Sequence, residues 1–162
     1  MPATPPTDLL TRDSPQGRLV LSGLILGSAV AILDGSVVNV ALRTIGSDLG
    51  ASLAQLQWVV NGYLLALASL VLVGGALGDR LGRRRVYLVG VTWFMVASVL
   101  CALAQSPGQL IALRVLQGVG AALLTPGALA LIQSAFRVED RAAAIGTWAG
   151  VSGVAAAVGP LL

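Results

Sequence analysis

Charge is absent from long, regularly spaced stretches of this chain. Residues 49–78, 86–113, 115–136 and 142–162 contain no Asp, Glu, Lys or Arg, and neither do residues 19–33. A hydrocarbon core about 30 Å thick is crossed by about 20 helical residues rising about 1.5 Å each. Helices also satisfy their own backbone polar groups, which lipid cannot do. The first four stretches are long enough to cross. Residues 19–33 fall short alone and must continue through Asp34 to about Ala41. The chain therefore reads as an all-α membrane protein with spans at about 19–41, 56–78, 86–104, 109–135 and 142–162. Gln105-Ser106-Pro107-Gly108 marks a tight turn that pairs spans three and four as a hairpin.

Composition agrees. Hydrophobic residues make up 56% of the chain and charged residues 10%, against about 25% charged in a soluble domain. The bilayer is the expected partner. The net charge of +3 is carried entirely by Arg and is spread too evenly for a nucleic-acid binder. Histidine is absent, and Cys101 is the only cysteine. Disulfide frameworks, Cys/His zinc sites and His-dependent catalysis are thereby excluded. No metal or cofactor is expected, and nothing supports an enzyme. Residues 1–18, rich in Pro, Thr and Asp, read as a loose tail. Mixed charge in this tail, and an apolar run that continues into Asp34, argue against a cleaved signal peptide.

Short loops on the cytoplasmic side of a membrane protein carry the excess of Arg and Lys. Arg12 and Arg18 precede span one, Arg80, Arg83, Arg84 and Arg85 follow span two, and Arg137 and Arg141 follow span four. All of these fall on one side, against Arg43 alone on the other. The expected topology is multi-pass in the cell membrane with a cytoplasmic N-terminus.

Two ionisable residues lie within spans, Asp34 in the first and Arg114 in the fourth. Such residues usually face a cavity or a partner. Asp34 lies about 22 Å up an ascending helix, and Arg114 about 8 Å below the outer end of a descending one. Both reach the same level, in the outer half of the core, and should face a common cavity. Gly23, Gly27 and Asp34 share one stripe of span one. Arg114, Gln117, Gly118, Ala121 and Thr125 form a polar, small-residue stripe on span four. Gln117, Gly118 and Thr125, together with Asn39 on span one, are candidate cavity-lining residues. The bland alternative is that Asp34 merely ends a short span among headgroups.

The segment Gly75-Ala76-Leu77-Gly78-Asp79-Arg80-Leu81-Gly82-Arg83-Arg84-Arg85 reads as a loop. Gly78 and Gly82 would permit a sharp reversal, and Asp79 could accept from Arg or from a helix N-terminus. A positive-inside anchor accounts for the Arg run but not for the Gly and Asp spacing. Glu139 and Asp140 fall on the same side as Arg83 to Arg85, and a cross-loop ion pair is as plausible as simple solvation. Gly118-Val119-Gly120 lacks the strand and third Gly of a dinucleotide loop. The Gly74/Gly78 and Gly146/Gly150 spacings are explained by packing within the bundle.

The Gly75–Arg85 segment resembles the signature loop between helices two and three of major facilitator transporters. Three further resemblances follow in order. Leu33-Asp34-Gly35-Ser36-Val37-Val38-Asn39-Val40-Ala41-Leu42 resembles the first-helix motif of the fourteen-helix drug–proton antiporter branch. Leu110 to Ala122, with Arg114, Gln117, Gly118 and Gly120, resembles the fourth-helix motif. Gly146, Gly159 and Pro160 resemble the fifth-helix antiporter motif, and Trp58 and Tyr63 stand where that branch places them. Ser36 replaces a Thr, Arg43 a Pro and Ala155 a Gly of these patterns.

The resemblance implies five of the six helices in the amino-terminal half of such a transporter, over residues 19–162. It also implies that the remaining carboxy-terminal helices are needed as partners, so that this chain alone should not transport. It implies export of cationic or amphipathic drug-like molecules in exchange for protons, the coupling ion. Asp34 and Arg114 would take part in coupling. Gly75, Gly78, Asp79, Arg80, Gly82, Arg83 and Arg84 would form a cytoplasmic latch, and Gly146, Gly159 and Pro160 a helix bend. A facilitator or symporter for a metabolite is the rival within the fold. A non-transporting membrane remnant or assembly partner is the rival outside it.

Overall fold

The computed structural model describes residues 9–158, which form five long helices. They are α1 (Pro15–Leu49), α2 (Leu53–Leu81), α3 (Arg83–Ala102), α4 (Pro107–Ala135) and α5 (Val138–Val158). All five are long and apolar enough to cross a membrane. Large apolar side chains such as Leu65, Leu72, Val89, Val96 and Val99 are exposed on the outside of the bundle. In water such a surface would be untenable; in lipid it is the solvated face.

Helix ends extend beyond the charge-free stretches. The 35 residues of α1 span about 52 Å, well past the hydrocarbon thickness. Ser14 caps its start by accepting from the Gly17 N–H, with Pro15 in the first turn. The helix then runs on through Arg43 and Asp48 to Gly50, whose left-handed backbone (φ 61°) stops it. Charge marks where lipid ends, whereas a cap marks where helical hydrogen bonding ends. Residues 15–18 are thus helical rather than part of a loose tail. The preceding segment is docked: Leu10 N–H donates to Ala135 O, Arg137 N–H donates to Leu10 O, and Arg12 N–H donates to Asp140 Oδ2.

The expected loop over Gly75–Arg85 is likewise mostly helix. Gly75, Gly78, Asp79 and Arg80 belong to α2, and Arg83, Arg84 and Arg85 open α3. One residue makes the break. Gly82 adopts φ 99°, ψ 119°, a conformation that a Cβ would oppose. At the other hairpin, Ser106 caps α4 and Pro107 occupies its first turn.

The core sits around α4, which packs chiefly against α2 and α3, while α5 packs against α1. Backbone approach is close where α4 meets α2. A Cβ at Gly118 would lie 2.5 Å from the Tyr63 carbonyl oxygen, and one at Gly74 would run into the Ala122 carbonyl. Tyr87 on α3 donates to the Leu24 carbonyl on α1, and Trp148 Nε1 on α5 donates to Ser28 Oγ on α1. These two bonds join α1 to α3 and to α5.

Candidate functional site

The two intramembrane charges meet directly. Arg114 Nη1 lies 2.5 Å from Asp34 Oδ2, joining α4 to α1. Arg114 is 3% exposed and Asp34 17%. A charge withdrawn from water is tolerable only when its partner and hydrogen bonds replace hydration. Arg114 is well supplied. Its Nε donates to the Val59 carbonyl at 3.3 Å, its Nη1 also donates to Gln117 Oε1 at 2.6 Å, and its guanidinium lies 4.4 Å over the Tyr63 ring. Val59 and Tyr63 are one turn apart on α2, so that helix grips the guanidinium from one side through a carbonyl and a π face.

Gln117, one turn after Arg114, closes the network. Its Nε2 donates to Asp34 Oδ1 at 2.7 Å and to Ser98 Oγ at 2.6 Å. Both carboxylate oxygens of Asp34 therefore accept from α4, one from a guanidinium and one from an amide. The expectation that Asp34 and Arg114 share a level holds, and it is met by direct contact. Ser98 and Cys101 were not foreseen. They stand in the charge-free run of α3 and carry no signal beyond a small polar side chain.

Other candidates fall elsewhere. Gly118 is buried at the α2 contact and serves helix packing, not the lining of a cavity. Asn39 donates to Gly35 O and Thr125 to Ala121 O, each within its own helix and each on an exposed face, so neither joins the ion-pair network. Gly146 has open space around it, and Gly159 and Pro160 lie outside the described residues.

At the arginine-rich end, Arg83 pairs with Asp79 at 3.0 Å, and its Nη1 donates to Ala130 O on α4 at 3.3 Å. Asp79 and Arg83 line a cavity of about 200 Å³ together with Gly74, Gly75, Gly78 and Pro126. Among the described residues, the ion pair of Glu139 or Asp140 with Arg83 to Arg85 is not formed. Arg83 is already held by Asp79, while Asp140 accepts from the Arg12 N–H.

Comparison with known proteins fits this arrangement. Residues 24–162 match the family model described as Major Facilitator Superfamily. The chain is 42% identical to the probable actinorhodin transporter of Streptomyces coelicolor, over 98% of this chain and 30% of that protein. It is 44% identical to the methylenomycin A resistance protein of Bacillus subtilis, over 92% of this chain and 32% of that protein. Among solved structures it resembles a bacterial homologue of the human lysosomal transporter Spinster, in an inward-facing and occupied conformation. The TM-score is 0.76 and the identity 27%, over 91% of this chain and 31% of the other. The chain thus spans about a third of the length of these relatives.

Proposed function

Because the chain belongs to the Major Facilitator Superfamily, we propose that it supplies five helices of a proton-coupled antiporter that exports cationic or amphipathic drug-like molecules. The observation that carries this reading is the Asp34–Arg114 pair. In a site shielded from water, a carboxylate is drawn toward its neutral form by burial and toward its charged form by an adjacent guanidinium. A group balanced in this way can exchange its proton when a second cation arrives. The relatives named for antibiotic resistance or transport support small, drug-like cargo.

Transport belongs to the whole protein. Further helices would close a cavity against the exposed faces that carry Asn39 and Thr125. The Asp79–Arg83 end would act as the latch, gripping the opposite half in one state. Gly146, Gly159 and Pro160 would bend the fifth helix. The arginine-rich end would face the cytoplasm, together with the N-terminus, in the cell membrane.

Asp34→Asn in the full-length protein abolishes export driven by a proton gradient while preserving insertion into the membrane. Export that persists at the parent rate rejects the reading.

A further inference from the structure

The Gln117 side chain is fully buried where α1, α3 and α4 converge. A primary amide offers two N–H donors and an oxygen that accepts twice. All four positions are occupied. The donors go to Asp34 Oδ1 (2.7 Å) and Ser98 Oγ (2.6 Å), and the oxygen accepts from Arg114 Nη1 (2.6 Å) and from the Cys101 thiol (3.7 Å). Ser98 and Cys101 are three residues apart and share a face of α3. Among the described residues no hydrogen bond joins α3 to Asp34 directly, so the reach of α3 into the ion pair passes through this amide.

We propose that Ser98 is a positioning residue for Asp34: its hydroxyl anchors one N–H of Gln117 and so holds the other on the Asp34 carboxylate. The inference rests on reading Asp34 as the proton-carrying group. Without the Ser98 oxygen, an amide N–H is left unpaired in a buried site, which is unfavourable. Rotation of the flexible Gln117 side chain relieves this and withdraws the N–H from Asp34. A carboxylate that loses a donor holds its proton more readily. The other charged or titratable groups facing Asp34 are Arg114 from α4, Tyr63 from α2 and Cys101 from α3. The charges of α5, Glu139, Asp140 and Arg141, lie at its first turn, far from this level.

The test uses the infrared C=O band of protonated Asp34, identified by its loss in Asp34→Asn, in protein reconstituted in liposomes and titrated over pH. Ser98→Val and Ser98→Thr have the same shape and differ in the hydroxyl. Ser98→Val, and Ser98→Ala without added bulk, move the midpoint away from the parent value, while Ser98→Thr keeps it there. Equal midpoints for Ser98→Val and Ser98→Thr overturn the inference, as does the absence of an Asp34 band at any pH. Because this readout needs no transport, export that persists in Asp34→Asn would sink the antiport reading and leave the Ser98 result standing.

Discussion

Removing both partners of the Asp34–Arg114 pair should destabilise the bundle far less than the sum of removing each alone. Charge centres about 4 Å apart at an effective dielectric of about 20 attract with about 4 kcal/mol before desolvation is counted. Breaking a buried pair by deleting one partner typically costs about 3–5 kcal/mol, because the other charge stays buried and unpaired. Arg114→Gln also loses the Val59 carbonyl bond and the stacking on Tyr63, which places it at about 4 kcal/mol. Asp34→Asn keeps those contacts, and Asp34 is 17% exposed, so a value of about 3 kcal/mol is expected. The double variant buries no lone charge and should cost about 4 kcal/mol instead of the additive ~7, a coupling of about 3 kcal/mol. Reversible unfolding in mixed micelles, followed through Trp58, Trp93 and Trp148, supplies the four free energies. Additivity within about 0.5 kcal/mol would refute the reasoning, since it would mean that the two charges do not depend on each other in the folded state.

Gly118→Val drives a branched side chain into the Tyr63 backbone of α2, and should lower stability by about 3 kcal/mol or more in the same assay. Gly82→Ala meets no neighbouring atom but must hold φ 99°, for a cost of about 1–3 kcal/mol with the other helices unchanged. Leu10→Pro removes the N–H that reaches the Ala135 carbonyl, and should open the 9–14 segment to protease without altering the spans, read as faster cleavage near Arg12.

The spans were legible because lipid penalises charge, so gaps in charge trace the helices. Their ends were not, because Ser14, Gly50, Ser52 and Gly82 act through backbone conformation and capping in regions where charge is allowed. Asp34 and Arg114 could be matched in depth from helical rise alone. Azimuth was harder: the stripe that singled out Gly118 and Thr125 did not reveal which part of it α2 covers. Gly78 read as a turn because its Gly and Asp neighbours suit one, yet only Gly82 has a positive φ in that segment. Ser98 was invisible because a small hydroxyl in an apolar run has no periodic partner until the fold brings Gln117 beside it.

Proton release on cargo binding tests the central claim most directly. The full-length protein in weakly buffered detergent, with a pH indicator, is mixed with a panel of lipophilic cations that includes tetraphenylphosphonium, and with neutral amphiphiles of similar size. The account predicts that a cation displaces protons from the parent protein and none from Asp34→Asn. Equal release from both proteins, or none from either across the panel, would contradict it.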